Sequence, residues 1–307
     1  MNPTLLNWLI WLPACVLFAS ALSQFAGPRG WRRHTALALA LASLVAPWFA
    51  PDGPVLRAFV ALYLLWTCTK VFDMTRDREQ RSPLFRWIWM LALHDLRRDG
   101  YARHGARPEL RPALLTSALF TLGVTFVFLW LAVFVAPTLA PGPGWLVRYG
   151  SGVLVCYFGV EGALRTFEFF DRWLGLSPPV LHQHPVLSLS LAEFWGRRWN
   201  RVVGHWLFTA LYRPLALRGK PALAVLAAFL GSALLHQYFT WAAIGFGWSL
   251  VMASFFLLQV PLLLLEAALG QQRWPRPWRR AWTVACLVLS SPLFVAPTLV
   301  TLGHGFR

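Results

Sequence analysis

The chain has 307 residues, of which 57% are apolar and only 13% are charged, and its mean hydropathy is +0.53. An ordinary soluble domain carries roughly 25% charged residues, so this composition excludes a typical water-soluble protein. The net charge of +16 does not indicate a nucleic-acid partner, because the basic residues are confined to a few segments between apolar runs.

Eight apolar runs have the length of membrane-spanning helices, since a helix needs about 20 apolar residues to cross a hydrocarbon core of ~30 Å. We therefore predict an all-α integral membrane protein with about eight transmembrane helices, organised as a single membrane domain over residues 1–307. The runs lie near residues 4–26, 34–50, 54–72, 113–137, 145–165, 221–241, 243–269 and 281–302.

The basic residues predict an orientation in the membrane. All of the 28 Lys and Arg except Arg57, Arg148 and Arg307 lie in residues 29–33, 70–111, 165–220 and 273–280. If every apolar run spans, these segments share one side, which the positive-inside rule assigns to the cytoplasm. We expect a multi-pass protein of a bacterial inner (cytoplasmic) membrane with both termini outside.

Two of the cytoplasmic segments are too long to be simple connections. Residues 73–112 alternate charged and apolar side chains, which is typical of a helix that lies in the membrane interface. Residues 166–220 are too basic to span easily and too aromatic to form a solvated loop. A broken or partly immersed helix that packs against protein fits this second segment better.

The densest polar cluster of the second segment is Glu193-Phe-Trp-Gly-Arg-Arg-Trp-Asn200. On one continuous helix, Glu193, Arg197, Asn200 and Gly204 would share a face. A structural alternative stays open, in which this is a juxtamembrane helix whose Arg side chains snorkel to lipid phosphates and whose Trp side chains form an interfacial belt.

His236 is the second candidate, because it lies inside the apolar run of residues 221–241, roughly 15 residues (~22 Å) beyond the inner end. Ionisable groups at such depth usually face a bundle interior or a wet cavity. His236 is either a neutral histidine in a structural hydrogen bond involving Ser232, one turn earlier, or a general base.

These residues resemble a known family. The stretch Ser190-Leu-Ala-Glu-Phe-Trp-Gly-Arg-Arg-Trp-Asn200 resembles the F-W-x-R-R-W-N signature of the wax-synthase-like branch of the membrane-bound O-acyltransferases. Leu235-His236 resembles the intramembrane histidine of that family, and Phe255-Phe-Leu-Leu-Gln, followed by Glu266, resembles its next helix. The chain departs from many relatives at Gln237, where they have glutamate.

The resemblance implies an acyltransferase whose catalytic residues are His236 and Asn200, with acyl-CoA as co-substrate and no other cofactor. The implied partners are acyl-CoA, a lipophilic hydroxyl acceptor such as a long-chain alcohol or lipid, and membrane lipids, with no nucleic acid. The expected substrate- and CoA-binding residues are Arg197, Arg198, Arg201, Trp199, Trp195 and Ser232.

Other readings of the sequence remain. A buried histidine beside an arginine cluster also suits a transporter or flippase for a lipid or small solute, and a structural membrane protein would share the same topology. His94 and Asp99 match an H-x4-D acyltransferase pattern, but no strand pattern surrounds them. We expect no metal site, because the four cysteines lie singly in apolar runs and His182 and His184 are expected to be solvated loop residues.

Overall fold

The computed structural model describes residues 3–27, 29–51, 53–92, 96, 112–176, 178 and 180–303, and its regular elements are all helices. Several helices begin at a proline, which suits a first turn whose N–H groups have no partner within the helix. The longer helices are α1 (Pro3–Phe25), α2 (Gly30–Ser43), α3 (Pro54–Met74), α4 (Pro83–Leu91), α5 (Pro112–Trp130), α6 (Pro141–Trp173), α10 (Pro221–Ile244), α11 (Phe246–Ala268), α12 (Arg276–Ser290) and α13 (Pro292–Gly303).

Shorter helical pieces lie between α6 and α10, in the segment that the sequence predicts to be broken. They are α7 (Leu191–Glu193), a π-helical turn (Phe194–Arg198), α8 (Arg201–Leu207), a second π-helical turn (Phe208–Tyr212) and α9 (Arg213–Ala216). The predicted break is present, whereas the depth of this segment in the membrane stays a prediction.

The number of candidate spans is lower than the predicted eight. Among the described residues, five helices are long and apolar enough to cross a membrane: Thr4–Phe25, Pro54–Met74, Pro112–Thr138, Pro221–Ile244 and Phe246–Ala268. A sixth span results if Arg276–Ser290 and Pro292–Gly303, which meet at 49°, form one broken span. The structure therefore supports a multi-pass helical membrane protein, whereas a count of eight is not confirmed.

Two predicted spans account for the difference. Residues 34–50 fall on α2, whose 14 residues cover only ~21 Å before a 3-10 turn at Ala46–Phe49, which is too short for a ~30 Å core. Residues 145–165 fall inside the 33-residue helix α6, which is long enough. Several glycines and Arg148 lower the hydropathy of that stretch, and α6 is not among the five.

The chain divides into two compact units. The first comprises Met1–Leu96 and Tyr238–Ser249. Its buried core joins α1 and α3 through Cys15, Leu56, Val60 and Leu64. Helix α4, within the predicted interfacial segment, is fixed to the end of α1 because Arg86 donates to the carbonyls of Ser23 and Ala26.

The second unit comprises Arg97–Gln237 and Leu250–Arg307 and contains the candidate site. Its helices approach closely where side chains are smallest. A Cβ atom at Gly162 of α6 would lie 2.9 Å from the Leu122 side chain of α5, and one at Gly152 would collide with Val295 of α13. These glycines are required because the adjacent helices leave no room for a larger residue.

Candidate active site

A large cavity lies within the second unit. Its volume is about 1040 Å³, at the upper end of the range for small-molecule sites, and its walls are mostly apolar. Helices α6, α10, α11, α12 and α13 and the broken segment all contribute to it. The polar residues of its wall include Tyr157, Arg197, Asn200, Tyr212, Ser232, His236, Thr283 and Ser291.

Asn200 lies where the broken segment changes direction. Trp199 is extended, and Asn200 has φ 35° and ψ 65°, a left-handed conformation that asparagine tolerates better than most residues. Its side-chain Oδ1 accepts a hydrogen bond from the Val203 amide at 3.4 Å and so caps α8. The single helical face expected for Glu193, Arg197, Asn200 and Gly204 is therefore wrong, because the helix stops before Asn200.

His236 lies on α10 with its ring against the cavity. Its Nδ1 is 2.8 Å from the backbone carbonyl oxygen of Ser232, so the bond to Ser232 lies within one helix and uses the main chain. A carbonyl oxygen can only accept, and the neutral ring therefore carries its proton on Nδ1 and its basic lone pair on Nε2. The ring of Phe256 packs at 4.0 Å between centroids, and that of Phe294 at 6.0 Å.

Close packing holds the histidine helix against the broken segment. A Cβ atom at Gly231, five residues before His236, would collide with Leu211 and lie 3.1 Å from Leu207. Trp195 packs edge-on against Phe229 of the same helix, with 5.9 Å between ring centroids. The small residue and the aromatic contact together bring α10 and the motif to one wall of the cavity.

A buried glutamine fastens the motif to two further helices. The indole N–H of Trp195 donates to Oε1 of Gln259 on α11 at 3.2 Å. The amide nitrogen of Gln259 donates in turn to the carbonyl of Phe255 and to Oγ of Ser290 on α12, both at 3.2 Å. Gln259 has no exposed surface, so these bonds replace the water that burial removed.

The start of the motif is held by side chains from elsewhere in the sequence. The buried carboxylate of Glu266 accepts from the amides of Leu191 at 2.8 Å and Ala192 at 3.4 Å. The side-chain amide of Gln271 donates to the carbonyls of Leu189 at 2.7 Å and Arg279 at 3.1 Å. Sequence reasoning missed these roles, although buried polar residues among apolar ones at 259 and 266 were the available signal.

The predicted binding residues separate into two groups. Trp195, Arg197, Trp199 and Ser232 line the cavity together with both predicted catalytic residues, whereas the other two arginines are not part of its wall. Trp199 stacks on Phe194, with ring centroids 5.3 Å apart.

Arg198 and Arg201 instead brace the broken segment. Arg198 forms an ion pair with Glu193 at 2.7 Å and donates to the carbonyl of Gln183 at 3.2 Å. Arg201 donates to the carbonyl of Val180 at 2.7 Å. These bonds hold residues 180–184 beside the break at Asn200, and a role of either arginine in CoA binding stays a prediction.

His182 corrects the expectation of a solvated loop histidine. Only 8% of its surface is exposed, its ring packs against Trp199 at 4.9 Å between centroids, and its Nδ1 is 3.5 Å from the Glu161 carboxylate. Burial lowers the pKa of His182 to about 4, although Glu161 opposes this shift. The imidazole is therefore neutral near pH 7.

The remaining titratable pairs are structural. Glu161 pairs with Arg165 and Glu168 with Arg172, each one helical turn apart on α6. Over the described ranges, His, Cys, Asp and Glu side chains form no group of three that could hold a metal ion. The alternative pair His94 and Asp99 lies outside the described residues.

An apolar cavity walled by a polar motif and a histidine, within a multi-pass helical protein, is typical of membrane proteins that act on lipophilic molecules. Residues 178–258 match the model of the Membrane bound O-acyl transferase family. This match confirms the resemblance to the membrane-bound O-acyltransferases, and the names of two plant relatives agree with the wax-synthase-like branch that the motif predicts.

Curated relatives agree with the family match. A "Long-chain-alcohol O-fatty-acyltransferase" of Simmondsia chinensis is 32% identical over 175 residues, which is 52% of this chain and 50% of the relative. A "Probable long-chain-alcohol O-fatty-acyltransferase 2" of Arabidopsis thaliana is 34% identical over 134 residues, 39% of each chain. The chain thus spans about half the length of the first relative, and both relatives are plant proteins, which gives no support to the expected bacterial inner membrane.

Proposed function

We propose that the protein is an acyltransferase that moves an acyl group from acyl-CoA to the hydroxyl of a lipophilic acceptor such as a long-chain alcohol. One observation carries the proposal: His236 and Asn200, on separate elements, line the same apolar cavity as the motif tryptophans. The names of the relatives support this chemistry, because each describes transfer of a fatty acyl group to a long-chain alcohol.

His236 is the proposed general base. Its Nε2 takes the proton of the acceptor hydroxyl while the hydroxyl oxygen attacks the thioester carbonyl carbon. The C–S bond then breaks, and the imidazolium returns the proton to the leaving thiolate. The bond from Nδ1 to the Ser232 carbonyl supports this role, because it orients the ring and keeps the lone pair on Nε2.

Asn200 is the proposed donor to the tetrahedral oxyanion. Its Oδ1 accepts from the Val203 amide, and its side-chain nitrogen, the donor end of the amide, is the group that would bond to the substrate oxygen. A donor fixed in a water-poor cavity stabilises developing charge more strongly than the same donor in water.

The cavity walls favour lipophilic substrates. Each methylene that leaves water for an apolar site contributes about 0.8 kcal/mol, so a long acyl chain or alcohol gains substantially from the aromatic and aliphatic lining. We retain the prediction that the motif segment faces the cytoplasm, which would give a water-soluble CoA group access to it.

Purified protein in nanodiscs, given labelled acyl-CoAs of several chain lengths with alcohols and lipid acceptors, tests the proposal. We expect an ester and free CoA in equal amounts. If no donor and acceptor react while the same protein in proteoliposomes moves a lipid or solute across the membrane, the protein is a transporter and the proposal is wrong.

A further inference from the structure

A second, smaller pocket lies next to the large cavity. Its volume is about 310 Å³, and it is lined by Ser190, Ala192, Glu193, Arg197 and Arg279. Arg197 also belongs to the wall of the large cavity, so one side chain borders both spaces. Arg279, from the first turn of α12, has no role in the mechanism described above.

The charges around this pocket do not balance. Glu193 is its carboxylate, and Glu193 already pairs with Arg198 at 2.7 Å and accepts from the Leu189 amide at 2.8 Å. Burial acts to raise the pKa of Glu193, but these bonds outweigh it and hold the pKa below its usual value, so the carboxylate is ionised. Arg198 compensates that charge, and the carboxylate of Glu266, which accepts from the amide of Ala192 in the pocket wall, offsets one of the guanidinium groups of Arg197 and Arg279. One positive charge therefore remains in excess.

Arg279 also has an unused donor. Its Nε is buried and has no hydrogen-bond partner within the part of the chain that the structure describes. Neither Arg279 nor Arg197 forms an ion pair with a described carboxylate. A buried guanidinium donor without an acceptor is costly, and charge-assisted bonds from the rest of the same guanidinium to an anion in the pocket would offset that cost.

The position of Arg279 is fixed relative to the motif. The side-chain amide of Gln271 donates both to the carbonyl of Arg279 and to that of Leu189, which precedes the motif serine. Thr283, one turn after Arg279, lines the large cavity. Helix α12 therefore borders both spaces, with Arg279 at the small pocket and Thr283 at the large cavity.

We propose that Arg279 and Arg197 bind a phosphate group in the small pocket. The planar guanidinium matches phosphate geometry, and two such groups supply the required positive charge. This inference rests on the proposed function, because we take the phosphate to belong to the CoA end of the acyl donor. Arg197 supports that choice, since its side chain borders both the small pocket and the large cavity. A phospholipid headgroup would supply the same chemistry.

Binding measurements distinguish the sources without requiring turnover. Calorimetry on protein in zwitterionic nanodiscs measures the binding of CoA, of dephospho-CoA and of pantetheine, which lacks phosphate. The proteins compared are the native chain, Arg279→Gln, Arg279→Lys and, as a control, a variant of the exposed neighbour, Arg280→Gln. A parallel series measures binding of phosphatidate in place of CoA.

We expect Arg279→Gln to weaken CoA binding roughly 10- to 100-fold, the loss of a charge-assisted hydrogen bond. Arg279→Lys recovers part of this affinity, whereas Arg280→Gln matches the native chain and pantetheine binding does not change. A selective loss of phosphatidate binding instead assigns the pocket to a lipid phosphate. Unchanged binding of both CoA and phosphatidate in Arg279→Gln overturns the inference.

The outcome is separable from that for acyl transfer. If the protein binds CoA through Arg279 but forms no ester, the result supports the phosphate site and contradicts the proposed reaction. If the protein forms ester and Arg279→Gln still binds CoA and phosphatidate like the native chain, the result supports the reaction and contradicts the phosphate site.

Discussion

Asn200 combines a backbone role with a chemical one, and aspartate separates the two. Asn200→Asp keeps the acceptor oxygen that caps α8 and a residue type that tolerates φ 35°, but it removes the side-chain donor. We expect ester formation to fall about 10²- to 10³-fold, the usual cost of a lost oxyanion donor, with nearly unchanged thermal stability.

A matched glycine variant controls for this prediction. Asn200→Gly accepts the left-handed backbone but loses both the cap and the donor, so it should lose activity and also some stability. Kinetics of ester formation together with melting temperatures check both variants. Normal turnover by Asn200→Asp would rule out an oxyanion role for the asparagine amide.

His182 makes stability depend on pH. Its ordinary pKa near 6.5 falls to about 4 in the folded chain, first because of burial, with Arg165 and His184 acting in the same direction and Glu161 opposing them. Between these values the unfolded chain binds a proton that the folded chain does not. The contribution of His182 is therefore complete above pH 6.5 and is lost as pH falls toward 4.

Replacing the histidine should flatten this dependence. We expect the melting temperature of the native chain to drop between about pH 7 and pH 4.5, and that of His182→Phe to drop less. Thermal unfolding in detergent at several pH values measures the difference. Parallel curves for the two proteins would show that His182 does not remain neutral in the folded state.

At the scale of elements, the bond between Trp195 and Gln259 ties the motif to α11. In Gln259→Leu, the indole N–H of Trp195 loses its acceptor and the hydroxyl oxygen of Ser290 loses its donor. We expect a loss of about 1–3 kcal/mol in the free energy of unfolding, because unsatisfied buried polar groups are costly.

The double variant tests the cause. Gln259→Leu combined with Trp195→Phe removes both partners, and its loss should be smaller than the sum of the two single losses. Chemical or thermal unfolding in one detergent provides the three values. Strict additivity would mean that the hydrogen bond contributes nothing and that packing alone joins these elements.

The sequence predicted some of these elements and not others, for physical reasons. Long apolar runs are local signals, so α1, α3, α5, α10 and α11 were predictable, as were the i, i+4 ion pairs of α6. The bonds that join Glu266 and Gln259 to the motif were not, because Leu191 is 75 residues from Glu266 and Trp195 is 64 residues from Gln259 in the sequence. The sequence also did not show that the helix ends before Asn200, because a single left-handed residue does not change the helical spacing of the polar residues on either side.

At the scale of the whole molecule, the orientation in the membrane stays a prediction. The basic segments place both termini outside, which needs an even number of spans. Six spans, with the bent pair α12 and α13 counted as one, give an even number, and five do not. Without a span at residues 34–50, however, the six put the basic residues of segment 70–111 on the side opposite to the other basic segments, so a common side for all of them needs the eight predicted spans. Reporters fused to each terminus should both be active outside the cytoplasm, and termini on opposite sides would contradict the arrangement.

The most direct test of the central claim is ester formation by His236→Ala beside the native chain, with Leu234→Ala as the matched control. Leu234 is 55% exposed and lies outside the cavity wall, so its variant changes the same helix without touching the site. We predict a loss of about 10²- to 10⁴-fold for His236→Ala, with melting temperature preserved, and native activity for Leu234→Ala. Native turnover by a folded His236→Ala chain would contradict the assignment of His236 as the base.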